Sequence, residues 1–235
     1  LFSVRYYFDE VTPDSLEPEG IDLPGFSYYD TQNGFHIYKN DYALPMGFTF
    51  DTYVSRSQWE TYSESDRCNL LLRALVLEDD AVETYQKDMQ KLPDAVHQMS
   101  DEDLLAECTE RAKTACDSFT YNSKGFHATI STDHANLVFF SVPWDEGWSA
   151  EVNGKPVSIE KADVGFMAVP VTAGDSEITF TYHTPGLKTG ALLSLGGLVL
   201  FAGYLTVAGI WNKRHPSPKA ESVCCMDYSA EETAN

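Results

Sequence analysis

Two tryptophans and two carboxylates lie within five consecutive positions of this sequence. The stretch reads WDEGW and contributes Trp144, Asp145, Glu146 and Trp148. Indole faces bind the apolar faces of pyranose rings, and carboxylates accept hydrogen bonds from sugar hydroxyls. The spacing therefore predicts a carbohydrate-binding platform on an acidic turn. The structural alternative is that Trp148 begins a strand and packs into the core, with the preceding glycine supplying an unusual backbone conformation.

No motif in the sequence points to catalysis. A nucleophile elbow, a P-loop, a dinucleotide-binding fingerprint, a His-Glu-x-x-His helix and an EF-hand loop are all absent. The six histidines show no metal-ligand spacing, so we predict no catalytic residue, no metal site and no cofactor. Acidic residues are numerous enough to form carboxylate pairs by chance. An anchored glycosidase stays an alternative that requires two carboxylates facing each other in a cleft.

The chain is strongly acidic, with 36 Asp and Glu against 16 Lys and Arg and a formal net charge of −20. Such a chain is repelled by the phosphates of nucleic acids and by anionic lipid headgroups. We therefore predict no nucleic-acid partner and no docking onto an anionic lipid surface.

One segment is apolar enough to cross a bilayer. Residues 190–211 contain no charge over 22 positions. As a helix they would measure about 33 Å, against roughly 30 Å for a hydrocarbon core. Lys213 and Arg214 follow the segment, and positive charge near a span end stays cytoplasmic. We predict a transmembrane helix over 188–211, an extracytoplasmic region over 1–187 and a cytoplasmic tail over 212–235.

The first 62 residues predict short aromatic strands, beginning with one at 1–7. Asn33-Gly34 separates apolar runs at 25–31 and 35–38, which is a strong hairpin signal. A long strand is expected over 43–54. Since the sequence begins without Met or a signal peptide, we expect a chain cut from a larger membrane protein.

Residues 63–117 change to helical periodicity and predict a helical insert. Residues 69–77 are apolar, residues 79–91 are amphipathic, and residues 100–116 form the clearest helix. Ser100 and Asp103 resemble a capping box at the start of that helix. The cysteines at 68, 108 and 116 are expected to be small buried apolar residues, although a bond from Cys68 to either of the others stays open.

Residues 118–187 return to short strands, which predicts a β-sandwich. We expect strands at 118–122, 125–131, 136–142, 148–152, 156–160, 165–171 and 177–183. Hairpin turns are expected at Asn153-Gly154 and at 173–175. The predicted fold is α+β and β-dominated, an antiparallel sandwich of the jelly-roll or carbohydrate-binding-module type, with a helical insert and one C-terminal transmembrane helix.

Several segments resemble the C-terminal extracellular region of YfhO-like bacterial multispanning membrane proteins. Residues 138–148, VFFSVPWDEGW, look like the strand–turn–strand signature of that family, and EVNGKPV at 151–157 looks like its hairpin, with Asn153 where Asp is common. Residues 165–169, 178–182 and 184–190 resemble its later strands and its entry into the last span. Residues 5–7, 37–40 and 43–45 resemble its first strands.

The resemblance implies a part of a GT-C type glycosyltransferase that uses a polyprenyl-phosphate sugar to glycosylate teichoic or lipoteichoic acid. The catalytic acidic residues of such enzymes lie in extracellular loops near the first spans, and none of those positions is in this sequence. The resemblance therefore implies a non-catalytic accessory domain. Its expected partners are the bilayer, the remaining transmembrane part of the parent protein, and a cell-envelope polysaccharide or teichoic acid. A single-span surface carbohydrate-binding or adhesion module is the alternative.

Overall fold

The computed structural model describes residues 3–12, 18, 23–93 and 99–215, and the chain divides into two units, Leu1–Thr184 and Pro185–Asn235. The strands are β1 Tyr6–Glu10, β2 Phe26–Gln32, β3 Phe35–Asn40, β4 Phe48–Thr49, β5 Thr52–Ser55, β6 Leu75–Leu77, β7 Gln90–Lys91, β8 Ser118–Asn122, β9 Gly125–Thr132, β10 Asn136–Pro143, β11 Trp148–Val152, β12 Lys155–Val157, β13 Glu160–Ala162, β14 Phe166–Val171 and β15 Gly174–Tyr182. The helices are α1 Arg56–Glu60, α2 Glu64–Leu70, α3 Asp79–Tyr85, α4 Asp101–Lys113 and α5 Leu187–Arg214.

The first three strands form a small antiparallel sheet in the order β1-β3-β2. The predicted hairpin is confirmed, because Asn33 and Gly34 both adopt positive φ between β2 and β3. The first strand starts later than expected, at Tyr6, and residues 1 and 2 lie outside the described part. Aromatic side chains such as Phe8 and Tyr29 are exposed on this sheet.

A seven-stranded sheet in the order β4-β10-β14-β13-β6-β5-β7 forms the middle of the larger unit. Its strand β10 is buried on both faces, since Leu137 and Phe139 pack towards helices α3 and α4 while Val138 and Phe140 pack the other way. This continuous apolar run gives a strand with no polar face. The strand anchors the turn that follows it.

A five-stranded antiparallel sheet in the order β12-β11-β15-β9-β8 packs on that second face. The shared core contains alternate residues of β9, β11 and β15, among them Phe126, Ala150 and Phe180. The strand-rich fold with several sheets and one C-terminal apolar helix is thus confirmed, and its two large sheets pack face to face as in a sandwich.

Four local expectations are wrong in detail. Residues 43–54 form two separate strands, because β4 pairs with β10 whereas β5 pairs in parallel with β6 and β7. Residues 63–117 contain the expected helices, yet they also supply β6 and β7 to the large sheet. The strand expected at 156–160 is broken into β12 and β13, which join different sheets. Residues 173–175 form no hairpin, since β14 and β15 also join different sheets.

The strongest helix prediction is confirmed. Helix α4 carries a complete capping box, with the Ser100 hydroxyl accepting from the Asp103 N–H and the Asp103 carboxylate accepting from the Ser100 N–H. Three cysteines are free thiols, namely Cys68, Cys108 and Cys116. Cys68 is exposed, which corrects the expectation that all three are buried.

The second unit contains helix α5, which is long and apolar enough to cross a membrane. It exposes large apolar side chains along its length, including Leu200 and Phe201. Lys213 and Arg214 lie in its last turn, where cations stabilise the C-terminal end of the helix dipole. The tail was predicted over 212–235, but α5 continues to Arg214, and residues 216–235 lie outside the described residues.

Candidate functional site

The acidic turn joins β10 to β11 and is held by backbone hydrogen bonds at both ends. The Trp144 N–H donates to the Gly165 carbonyl at 2.8 Å, and the Gly147 N–H donates to Asp145 Oδ1 at 2.8 Å. A Cβ added to Gly147 would lie 2.5 Å from the carbonyl oxygen of His183, so any side chain there would collide with backbone. The turn therefore has one well-defined conformation.

All four predicted platform residues line a single depression of about 340 Å³, together with side chains of β12 and of the loop after it. The structure thus brings together Trp144, Asp145, Glu146 and Trp148. Their contributions differ, because the two tryptophans face different surroundings.

Trp148 is the structural member of the set. Its ring packs against Tyr182 at 5.0 Å, Phe126 at 5.6 Å and Phe180 at 6.1 Å between centroids, all at steep angles. Edge-to-face contacts of this kind stabilise a core. Trp148 nevertheless stays partly exposed on one side, where it forms part of the wall of the depression.

Trp144 separates the depression from a larger cleft of about 640 Å³. Lys161 lies over its ring, with Nζ 3.8 Å from the ring centroid, which is a close cation–π contact. One face of this indole is therefore covered by an ammonium group. A sugar can stack on that face only after Lys161 moves aside.

The cleft is lined mostly by charged residues, which come from α1, α3, β13 and neighbouring loops: Arg56, Glu60, Glu78, Asp80, Trp144, Ile159, Glu160, Lys161 and Val164. Arg56 is neutralised by Glu60 at 2.8 Å and by Glu78 at 3.9 Å. Within the part of the chain that the structure describes, Lys161 has no carboxylate within ion-pair distance. It is therefore the cation of this cleft that is available to an anionic group of a ligand.

Glu160 is held in place by two hydroxyl donors. Tyr85 Oη donates to its Oε1 at 2.9 Å, and Ser158 Oγ donates to the same oxygen at 2.7 Å. Burial, followed by the interactions with Glu160, raises the pKa of the Tyr85 phenol. The fixed carboxylate has its other oxygen available to accept a hydrogen bond from a ligand hydroxyl.

A third depression, of about 680 Å³, lies on the other side of Trp148 and shares Asp145 with the first. At its edge Asp145 is hydrogen-bonded to Tyr182, and this bond is the main cause that raises the pKa of the Tyr182 phenol. The acidic turn thus lies at the junction of three adjacent depressions.

Sequence reasoning found the turn but missed Lys161, Arg56 and Glu160, because they come from elements that only the fold brings to it.

Comparison with known proteins places this region in a family. Residues 94–194 match the family described as "Bacterial membrane protein YfhO". A curated relative, "Uncharacterized protein YfhO" from Bacillus subtilis (strain 168), is 30% identical over 121 residues. Residues 94–194 are therefore YfhO-like. The alignment covers 52% of the chain and 13% of the relative, and no solved structure matches the chain.

The family match divides the cleft into two sets of residues. Trp144, Glu160 and Lys161 lie inside the YfhO-like region, whereas Arg56 and Glu78 come before it. The candidate platform and the beginning of α5 are both included in the match. The match to a membrane-protein family and the apolar helix α5 together support a membrane location for this chain.

Proposed function

We propose that this chain is a non-catalytic extracytoplasmic domain of a YfhO-like membrane glycosyltransferase, anchored by α5 in a bacterial cell membrane. Its task would be to hold an acceptor polymer of the cell envelope, such as teichoic or lipoteichoic acid. Residues 1–187 would lie outside the cytoplasm and residues 212–235 inside. The family match and the apolar helix support this assignment.

The observation that carries the proposal is the arrangement around Trp144. An indole, an ammonium group without a carboxylate partner and an oriented carboxylate lie along one continuous edge between two depressions. Sugar–phosphate polymers present an apolar ring face, a phosphodiester and hydroxyl groups. The aromatic face of Trp144 can recognise the ring face, and the Lys161 ammonium can recognise the phosphodiester. The Glu160 carboxylate can accept a hydrogen bond from a hydroxyl group.

The cleft would bind a phosphodiester through Lys161. When the ammonium moves onto the phosphate, it uncovers the Trp144 face, and a neighbouring sugar ring can then stack there. Glu160, held by Tyr85 and Ser158, would accept a hydrogen bond from a sugar hydroxyl without having to be reoriented. The surplus of carboxylates in the cleft would keep this binding weak and reversible, as a processive enzyme domain requires.

Binding of lipid-free poly(glycerol phosphate) to the full chain in nanodiscs tests the proposal by calorimetry. We expect Lys161→Glu to weaken binding by about tenfold, which corresponds to about 1.4 kcal/mol. Lys155→Glu is the matched control, because it makes the same charge change at an exposed residue of β12 that does not line the cleft. Equal losses in both variants, or no binding by the wild type, would refute acceptor binding here.

The parent protein is tested separately by an immunoblot of source membranes with antibody against residues 1–187. A membrane-bound band far larger than 26.2 kDa would support a multispanning glycosyltransferase. A band near that mass would instead favour the single-span surface module.

A further inference from the structure

The third depression, which we call the cavity, has an apolar floor and a polar rim. The floor is built from Met46, Phe119, Phe126, Val142 and Trp148. The rim carries Lys124, Asp145 and Tyr182. Its volume of about 680 Å³ falls within the range of roughly 300–1,000 Å³ that small-molecule sites occupy. Asn122 and Ser123 also lie at the rim. The cavity is thus of ligand size, and most of the surface that lines it is apolar.

The floor is part of the rigid core. Phe126 stacks on Phe180 with 4.4 Å between ring centroids, and Phe119 lies 5.4 Å from Phe126. A Cβ added to Gly125 would come within 1.9 Å of the Phe180 carbonyl oxygen, so glycine lets the start of β9 pair closely with β15 beside this floor. A preformed apolar cavity binds without the cost of first ordering its walls.

One wall is a large aromatic side chain that the fold leaves in solvent. Tyr121 is 83% exposed and borders the cavity. A hydrocarbon chain in the cavity would cover the ring of Tyr121 while its hydroxyl stayed wet, which suits the amphipathic character of tyrosine.

The cavity is continuous with the proposed sugar platform. Asp145 and Trp148 line both this cavity and the depression beside Trp144. A ligand spanning the two would have an apolar end in the cavity and a hydroxyl-rich end at the platform. The carboxylates of Asp145 and Glu146 at the turn favour an uncharged head over an anionic one. Along the sequence the helix α5, which is long and apolar enough to cross a membrane, begins at Leu187, five residues after Tyr182.

We infer that this cavity binds the hydrocarbon chain of a sugar-headed membrane amphiphile, with its head group at the acidic turn. The position of the head group at the acidic turn rests on the proposed function, whereas the binding of the hydrocarbon chain in the cavity does not. A protein segment is a less suitable occupant because protein interfaces of standard size bury a far larger and flatter surface.

Photo-crosslinking tests the inference with the full chain in nanodiscs. The probe is a hexadecyl maltoside that carries a diazirine at the end of its chain, and mass spectrometry locates the labelled residues. We expect labels on the β8–β9 hairpin and on Met46. Labelling of α5 serves as the internal control for access to lipid. Val142→Trp, which fills the cavity, should reduce hairpin labelling by about fivefold and leave α5 unchanged.

A second variant covers the case in which Val142→Trp fails to fold. Tyr121→Ala removes an exposed wall and should reduce hairpin labelling by about threefold, while Tyr29→Ala, at another exposed tyrosine, should not. Labels confined to α5, or equal hairpin labelling in every variant, would overturn the inference. Labels confined to α5 would indicate that a protein segment covers the cavity.

Two further experiments distinguish binding of the hydrocarbon chain from binding of the polymer. A probe with the same hexadecyl chain and diazirine but a phosphocholine head should label the β8–β9 hairpin more weakly than the maltoside probe if the head group binds at the acidic turn. Equal labelling by the two probes would refute that position of the head group. Lys161→Glu should leave labelling within about twofold of wild type. A wild-type chain that does not bind the polymer but still labels on the hairpin would therefore refute the proposed function alone.

Discussion

Two aspartates in the loops of the larger unit share one local role and differ in almost everything else. Asp163 lies in the turn between β13 and β14, and Asp145 lies in the turn between β10 and β11. Each accepts a hydrogen bond from a backbone N–H, Asp163 from Val76 at 2.9 Å and Asp145 from Gly147 at 2.8 Å. Local chemistry alone would assign them the same importance.

Their surroundings separate them. Asp163 is 4% exposed, and its Oδ2 has no hydrogen-bond partner among the described residues. Its backbone N–H donates to the Val76 carbonyl at 2.9 Å, so this residue extends the short pairing of β13 with β6. Burial raises the pKa of Asp163 to about 8. Asp145 is partly exposed, lines two depressions and is bonded to Tyr182.

The difference shows that a strongly shifted pKa does not by itself mark a binding site. Asp163 has a strongly raised pKa, but it lies between strands and lines none of the three depressions around the acidic turn. Asp145 lines two of those depressions. Access to a ligand separates the candidate functional residue from the structural one.

The largest expected effect is the pH dependence that Asp163 imposes on stability. The unfolded chain loses this proton near the ordinary aspartate pKa of 3.8, whereas the folded protein holds it to a pKa of about 8. Folding therefore takes up a proton between those values, so stability falls as pH rises and levels off above pH 8. The upper bound of the loss is about 6 kcal/mol.

Asp163→Asn should remove this dependence, because the amide does not ionise and its oxygen can still accept from the Val76 N–H. Urea unfolding of both proteins at about pH 5 and about pH 9 measures the difference. Parallel pH profiles in the two proteins would show that Asp163 ionises normally, and the comparison with Asp145 would then fail.

A smaller loss is expected for Asp163→Ala at a pH where the wild-type carboxyl is protonated. Alanine leaves the buried Val76 N–H without its acceptor, and it occupies a backbone position at φ 45° that aspartate tolerates better. The expected cost is about 2–4 kcal/mol in the free energy of unfolding. Asp163→Asn is the control that keeps both features, and a similar loss in that variant would contradict the explanation.

The equivalent change in the open turn, Asp145→Ala, should cost less. The groups that it leaves, the Gly147 N–H and the Tyr182 hydroxyl, are only partly buried and can bind water instead. We expect a loss of about 1 kcal/mol by urea unfolding. A loss as large as that of Asp163→Ala would mean that the acidic turn is a structural element, and the distinction between the two aspartates would disappear.

The smallest effect concerns the phenol beside the turn. Because the hydrogen bond to Asp145 raises the pKa of Tyr182, Asp145→Asn should move that pKa back towards its ordinary value of 10.0. NMR titration of ring-labelled tyrosine would follow it, with Tyr182→Phe to assign the signal. An unchanged or higher pKa in the variant would show that the two side chains do not interact.

Sequence reasoning succeeded where periodicity and turn chemistry act over short distances. Asn33-Gly34 and Asn153-Gly154 gave two real hairpins, and Ser100 with Asp103 gave a real capping box, since each signal involves neighbours in the chain. It failed at residues 156–160, where β12 and β13 join different sheets although the strand pattern is continuous. Sheet assignment depends on distant partners that periodicity does not encode.

The sequence by itself determined the acidic turn, the apolar helix and the strand-rich character of the chain, because these follow from residue type and spacing. Tertiary structure alone decided that Lys161 lies over Trp144, that Asp163 is buried, and that an apolar cavity opens beside Trp148. Each of these depends on residues that are far apart in the sequence and meet only in the folded chain. Burial and long-range contact, unlike periodicity, are properties of the whole folded chain.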